Sequence, residues 1–320
     1  MSKRIKYLII YLAVMIALTC VRIAVNEGYF GESDILIERL FTIFTQIACM
    51  GMIPVFSVLL IDKGDAIESL KNRFYFKKTK VKGVWYLTLI LAVLHVVVNG
   101  GISTVWYNFL RLTGYTPAIN DAEVIDTVGG FIVALIMSAV LPAFFEEVTH
   151  RGLVLHSTRG GVDKRAFMSA LLFALMHQNI TQTAYTFAGG LIMAYVVLYT
   201  GSIFPAMFIH FFNNAVVELR IFSSSYGGIV SKAYSFIYAN MHQWWFMLIL
   251  VLLWALAVFG VYYILKLLKA RKEDIDVSVP SVEIEIESEQ EKTVSKFLWI
   301  AIIVFGALTT VYSYVWALLR

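Results

Sequence analysis

Six side chains carry the chemistry this sequence could perform: Glu146, Glu147, Arg151, His177, His210 and Asn214. All fall in apolar stretches, where an ionisable group costs a few kcal/mol or more and marks a functional site by default. A carboxylate can serve as general base toward water. A histidine can orient that water or protonate a leaving amine, and further donors can hold a tetrahedral oxyanion. The set is sufficient for hydrolysis of an amide bond, and the chain holds neither a serine elbow nor an HExxH pair.

The spacing assigns the two glutamates different duties. On a helix Glu146 faces His150 and Glu147 faces Arg151 at i,i+4, while the adjacent carboxylates point about 100° apart. One can be held while the other stays available. A helix end with an ordinary surface ion pair is the plain alternative for this motif alone, and the two later histidines turn the reading toward a site. Either glutamate with His177 and His210 also makes a two-histidine, one-carboxylate set of the kind zinc proteases use. The same groups can activate water with no ion, and the reading leans against an obligatory zinc.

These residues must be positioned by membrane helices. The chain has 320 residues, 59% of them hydrophobic and 15% charged, with five prolines and a net charge of +4. That composition excludes a soluble globular protein and implies an all-α, polytopic bundle of about eight or nine spans, multi-pass in a membrane and in the cell membrane if the source is bacterial. The basic residues cluster in short loops between apolar runs, which fits topology and not nucleic-acid binding. Cys20 and Cys49 lie inside apolar runs with no ligand spacing and read as unpaired. Lys3, Arg4 and Lys6 precede an apolar stretch without a small-x-small site, as in a signal anchor.

Segments long enough to cross are expected at 5–25, 35–61, 84–112, 127–155, 183–200, 204–220, 244–268 and 297–319, with a short ninth at 166–180. Counted from a cytoplasmic N-terminus, the basic loops from Lys63 to Lys82 and from Arg159 to Arg165, and the end of the eighth span at Lys266 to Lys272, all fall on the cytoplasmic side. Pro142 denies the Ser138 carbonyl its amide partner, so a kink is expected one turn before Glu146. Gly189 and Gly190 are small enough to admit a neighbouring helix. The chain divides into N-terminal helices with the basic loop (1–126), a core carrying the motifs (127–222), and C-terminal helices (223–320) with an acidic, flexible insert at 273–291.

Glu146-Glu147-x-x-x-Arg151, Phe173-x-x-x-His177 and His210-x-x-x-Asn214, with the lead-in Thr200-Gly201-Ser202-Ile203-Phe204-Pro205, resemble in order and spacing the three-motif signature of the CPBP family of CAAX-protease and bacteriocin-processing membrane proteins. The resemblance spans Phe131 to Asn214. It implies an intramembrane endopeptidase acting on a prenylated or other membrane-associated peptide. It also implies roles: Glu146 as the base, His177 sharing its water, His210 and Asn214 at the oxyanion, and Glu147 with Arg151 as positioning groups. His150 is not demanded by the pattern. His95 reads as a core or interhelical hydrogen-bonding residue, and His156 and His242 as interfacial. Two other functions fit the same fold: a non-catalytic scaffold or immunity protein that binds a partner, and a proton-coupled transporter, against which the lack of an internal repeat argues.

Overall fold

The computed structural model describes residues 1–26, 35–62, 65–115, 125–273 and 287–318. Among these there is no strand, and the chain folds as eleven helices. They are α1 (Lys3–Asn26), α2 (35–61), α3 (Ala66–Arg73), α4 (Val84–Leu112), α5 (Val128–Ser157), α6 (Val162–Met176), α7 (Ile180–Thr200), α8 (Phe204–Ser225), α9 (Ile229–Asn240), α10 (Trp244–Glu273) and α11 (Glu289–Leu318). Seven of them, α1, α2, α4, α5, α7, α10 and α11, are long and apolar enough to cross a membrane. Of the other two predicted spans, α6 is too short and α8 too polar to count with these, and both pack against α7. The chain is a multi-pass membrane protein with a helical bundle fold.

Helix starts follow local chemistry. Asp65, Thr127 and Asn179 are N-caps whose side-chain oxygens accept from the amides of Glu68, Gly130 and Thr181. At the α7–α8 corner Gly201 sits at φ +66°, a left-handed conformation that suits glycine, and Pro205 occupies the first turn of α8. Where the sequence suggests only loops, the basic segment holds α3 and the segment after α8 holds α9. Both are short amphipathic helices.

The predicted cytoplasmic segments gather at one end of the bundle. Lys3 and Arg73 both pair with Asp62, Arg4 donates to the Ser157 carbonyl, Arg159 pairs with Glu287, and Arg271 donates to the Lys82 carbonyl. At the opposite end Trp106 donates to the Ile180 carbonyl, Ser225 to the Ile125 carbonyl and Tyr314 to Thr113. With α6 and α8 counted with the seven long helices, successive helices therefore alternate in direction. Most of the acidic insert, together with Asp121 and Glu123, lies outside the described residues.

The largest apolar cluster joins α4, α6, α7, α8 and α10 through Leu91, Phe173, Val197, Ile209 and Val261. A second joins α1, α2, α6 and α11 through Met15, Cys49, Leu172 and Ile302. Outward residues such as Leu252, Leu256 and Phe259 on α10 are exposed, as a lipid-facing surface requires.

Candidate active site

The site is built on α5, and α5 is not a uniform helix. It widens into π-helical turns at Leu135–Val140 and at Val148–Val154, on either side of the double glutamate. The facing helix α2 widens likewise at Phe44–Met52. Such turns insert an extra residue, redirect side chains and expose backbone groups, and they recur at functional sites. Thr149 donates to the Met50 carbonyl at 2.6 Å, joining the two widened segments. Gly51 permits this approach, because a Cβ there would lie 2.4 Å from the Phe145 ring.

Glu147 is sealed from solvent between Arg151 and His210. Its carboxylate lies 3.1 Å from Arg151 Nε and accepts from His210 Nδ1 at 3.1 Å, and none of its side-chain surface is exposed. Arg151 is equally buried, donates through Nη2 to the Gly190 carbonyl at 3.1 Å and lies over the Phe173 ring at 4.6 Å. The predicted i,i+4 pair is therefore present. The close approach expected of the glycine pair is present too: Gly190 packs on Ala170 and Phe173 of α6, and Gly189 on His95 and Asn99 of α4.

Glu146 is 13% exposed. One oxygen accepts from Gln46 Nε2 at 2.7 Å, and the other stands 3.9 Å from His210 Nε2. His177 donates from Nδ1 to the Phe173 carbonyl at 2.7 Å, which leaves Nε2 as its working nitrogen, and Glu146 and His210 lie near enough to bear electrostatically on it. His150 does not bond the Glu146 carboxylate. Its Nδ1 donates to the Glu146 backbone carbonyl at 2.8 Å, and its Nε2 lies 3.2 Å from the Tyr11 hydroxyl, whose one hydrogen also faces the Leu172 carbonyl at 3.2 Å.

Asn214 donates to the Ser138 carbonyl at 3.0 Å and accepts from Asn213. Asn213 in turn accepts from Asn99, which also donates to His95. His95 is thus a buried core residue bonded within its own helix α4, and Asn99 makes the link to α8. His156 is a correction: it is 6% exposed and packs on Tyr75, drawn inward by the π-turns that precede it. His242 is exposed.

Four residues take roles in this site that the sequence did not assign to them. Gln46 and Tyr11 come from α2 and α1, where no motif surrounds them. Gly190 acts through its carbonyl. Phe173, known only as a motif letter, is the hub: its ring meets those of His150, His177 and His210 at 5.1, 4.9 and 5.7 Å, besides Arg151. An aromatic four residues before a histidine on the same helix face was the available signal.

The zinc-like reading of this set is not supported. Among the described residues no three His, Cys, Asp or Glu side chains are placed to hold a metal ion. Glu147 is committed to Arg151 and His210, and Gln46 holds one oxygen of Glu146. The arrangement does not fit a zinc centre, and no chemical step is routed through one.

Residues 128–216, from the start of α5 to just beyond Asn214, match the family model described as type II CAAX prenyl endopeptidase, Rce1-like. This segment is Rce1-like. The match agrees with the CPBP resemblance of the three motifs, and all six residues named from the sequence lie within the Rce1-like segment. The family is one of membrane proteases. No curated protein and no solved structure matches the chain.

Proposed function

We propose that this protein is an intramembrane endopeptidase that hydrolyses a peptide bond of a CAAX-type or other membrane-associated peptide, with water activated by Glu146. The observation that carries the reading is the unequal treatment of two adjacent carboxylates: Glu147 is fully buried between Arg151 and His210, whereas Glu146 is partly accessible and faces His210.

His210 gives its Nδ1–H to Glu147, which turns Nε2 toward Glu146 at 3.9 Å and the reaction space. For Nε2 to donate to an oxyanion the ring must carry both protons, and Glu147 and Glu146 are the carboxylates that would offset its charge.

In the reaction Glu146 takes a proton from water while His177 Nε2 orients it, and the water oxygen attacks the carbonyl carbon. The oxyanion is held by His210 Nε2–H and by the second amide hydrogen of Asn214, the first being given to Ser138. Collapse breaks the C–N bond, and the proton passes from Glu146 to the leaving amine. Glu147, Arg151 and Phe173 hold His210 and His177 in register and touch no reacting atom.

The test is cleavage of a prenylated or membrane-bound peptide by purified protein. Glu146→Gln keeps shape and hydrogen bonding but removes the base, so turnover should fall by about 10²–10⁴ at unchanged abundance. If Glu146→Gln and His177→Ala both keep full biological function at normal expression, the protein is a membrane scaffold and not a protease.

A further inference from the structure

At the inner end of the bundle, remote from Glu146, the starts of α1, α6 and α11 enclose a cavity of about 410 Å³. Its rim is strongly cationic: Arg4, Arg159, Lys164, Lys292 and Lys296 all line it. Among the described residues, acids offset only part of this charge. Glu287 takes Arg159 at 2.9 Å and Arg4 at 3.4 Å, and Glu289 takes Lys292 at 2.5 Å. Among the described residues neither Lys164 nor Lys296 has a carboxylate within ion-pair distance. Ser295 also lines the cavity. It is 1% exposed, and its hydroxyl has no hydrogen-bond partner, an arrangement that costs free energy unless a ligand completes it.

The cavity wall changes character along one face of α11. Lys292, Ser295 and Lys296 are followed at helical spacing by Trp299, Ile300 and Ile303, all lining the same cavity. Charge lies toward the cytoplasmic end and apolar surface toward the membrane interior. Trp299 marks the boundary, where tryptophan is favoured at a membrane interface, and Ile300 is 51% exposed, so the stripe opens to lipid. A water-soluble anion would use only the upper half of this wall. An amphiphile with a phosphate head and an acyl tail uses all of it.

We propose that this cavity binds one anionic phospholipid of the inner leaflet. Lys164, Lys296 and the Ser295 hydroxyl take its phosphate, and one acyl chain lies along Trp299, Ile300 and Ile303. Glu287 holds Arg4 and Arg159 together beside the headgroup and limits the site to a single phosphate.

The test uses the full chain purified in mild detergent and titrated with phosphatidylglycerol or phosphatidylcholine, bound lipid being counted by native mass spectrometry. One phosphatidylglycerol should be retained with at least roughly tenfold preference, in line with the attraction of basic side chains for anionic lipid. Lys164→Ala/Lys296→Ala should abolish the preference and Ser295→Ala weaken it, while Lys266→Ala/Lys269→Ala, which alters basic residues outside the cavity, should leave it intact. Equal retention of both lipids by the parent protein overturns the proposal. Equal loss in the Lys266/Lys269 pair overturns it too, because it would reduce the effect to general surface charge. Glycerol phosphate displacing bound lipid as well as a short-chain phosphatidylglycerol does would show a soluble-phosphate site and overturn the lipid assignment. Lys164 and Lys296 are exposed, so unchanged elution and melting of their variant separate binding from folding.

Discussion

Asn214 Nδ2 donates to the Ser138 carbonyl oxygen at 3.0 Å, and Ser138 is the residue whose carbonyl Pro142, four positions on, has no amide to serve. A side chain of α8 thus completes the backbone of α5 one turn before the double glutamate. Asn214→Ala should lose about 1 kcal/mol of stability by removing the side-chain donor of this carbonyl. Pro142→Ala, which restores a local donor, should offset part of that loss. The check is a double-mutant cycle on unfolding in detergent, and strict additivity of the two substitutions would show that the carbonyl is satisfied by other means.

The adjacent glutamates should separate activity from stability. Glu146→Gln is expected to melt as the parent protein does while cleavage is lost. Glu147→Gln leaves Arg151 charged and buried without its carboxylate and should destabilise by about 3–5 kcal/mol. Paired melting and turnover measurements decide it, and an inactive but fully stable Glu147→Gln protein contradicts the structural role given to that residue.

Phe173 connects three histidine rings and the Arg151 guanidinium. Phe173→Leu keeps most of the apolar volume and should retain the fold, yet turnover should drop at least roughly tenfold because the rings lose their common surface. Phe173→Ala should also cost about 3–5 kcal/mol of stability through the cavity it leaves. Turnover unchanged in Phe173→Leu would remove Phe173 from the positioning set.

Orientation can be read with single cysteines in a Cys20→Ser background. Lys71→Cys, on α3, and Thr113→Cys, after α4, lie at opposite ends of the bundle and should label from opposite sides of the membrane. Labelling from the same side would break the alternation of helices.

Exhaustive chelation should leave cleavage intact, since no three ligating side chains converge among the described residues. Activity lost to chelator and restored by stoichiometric zinc would require a rearranged site.

The long spans were readable because hydrophobic length and loop charge are one-dimensional properties, and α4 runs over Val84–Leu112 as its apolar run does. Glu147 with Arg151 was readable because i,i+4 neighbours depend only on local geometry. Gln46, Tyr11 and the buried setting of His156 were not. They depend on which helices stand beside α5 and on π-turns that rotate its faces, and neither follows from the spacing of residues along one chain. The hydrogen-bonded string from Asn214 through Asn213 and Asn99 to His95 is likewise a product of helix order, although each of its members is polar within an apolar run.

The widened turns of α5 make the two halves of this helix differ in their tolerance of length change. At Leu135–Val140, where Ile136 and Val140 face outward, loss of one residue would let an ordinary α-helical turn run through while the flanking surfaces keep their directions. A loss between Glu147 and Arg151 also falls in a widened turn, Val148–Val154, yet it changes their spacing from i,i+4 to i,i+3 and moves the guanidinium about 100° around the helix from where it meets its carboxylate. Single-residue deletions along α5 should therefore trace a sharp boundary, permissive on the outer side of Pro142 and lethal to the site on the inner side.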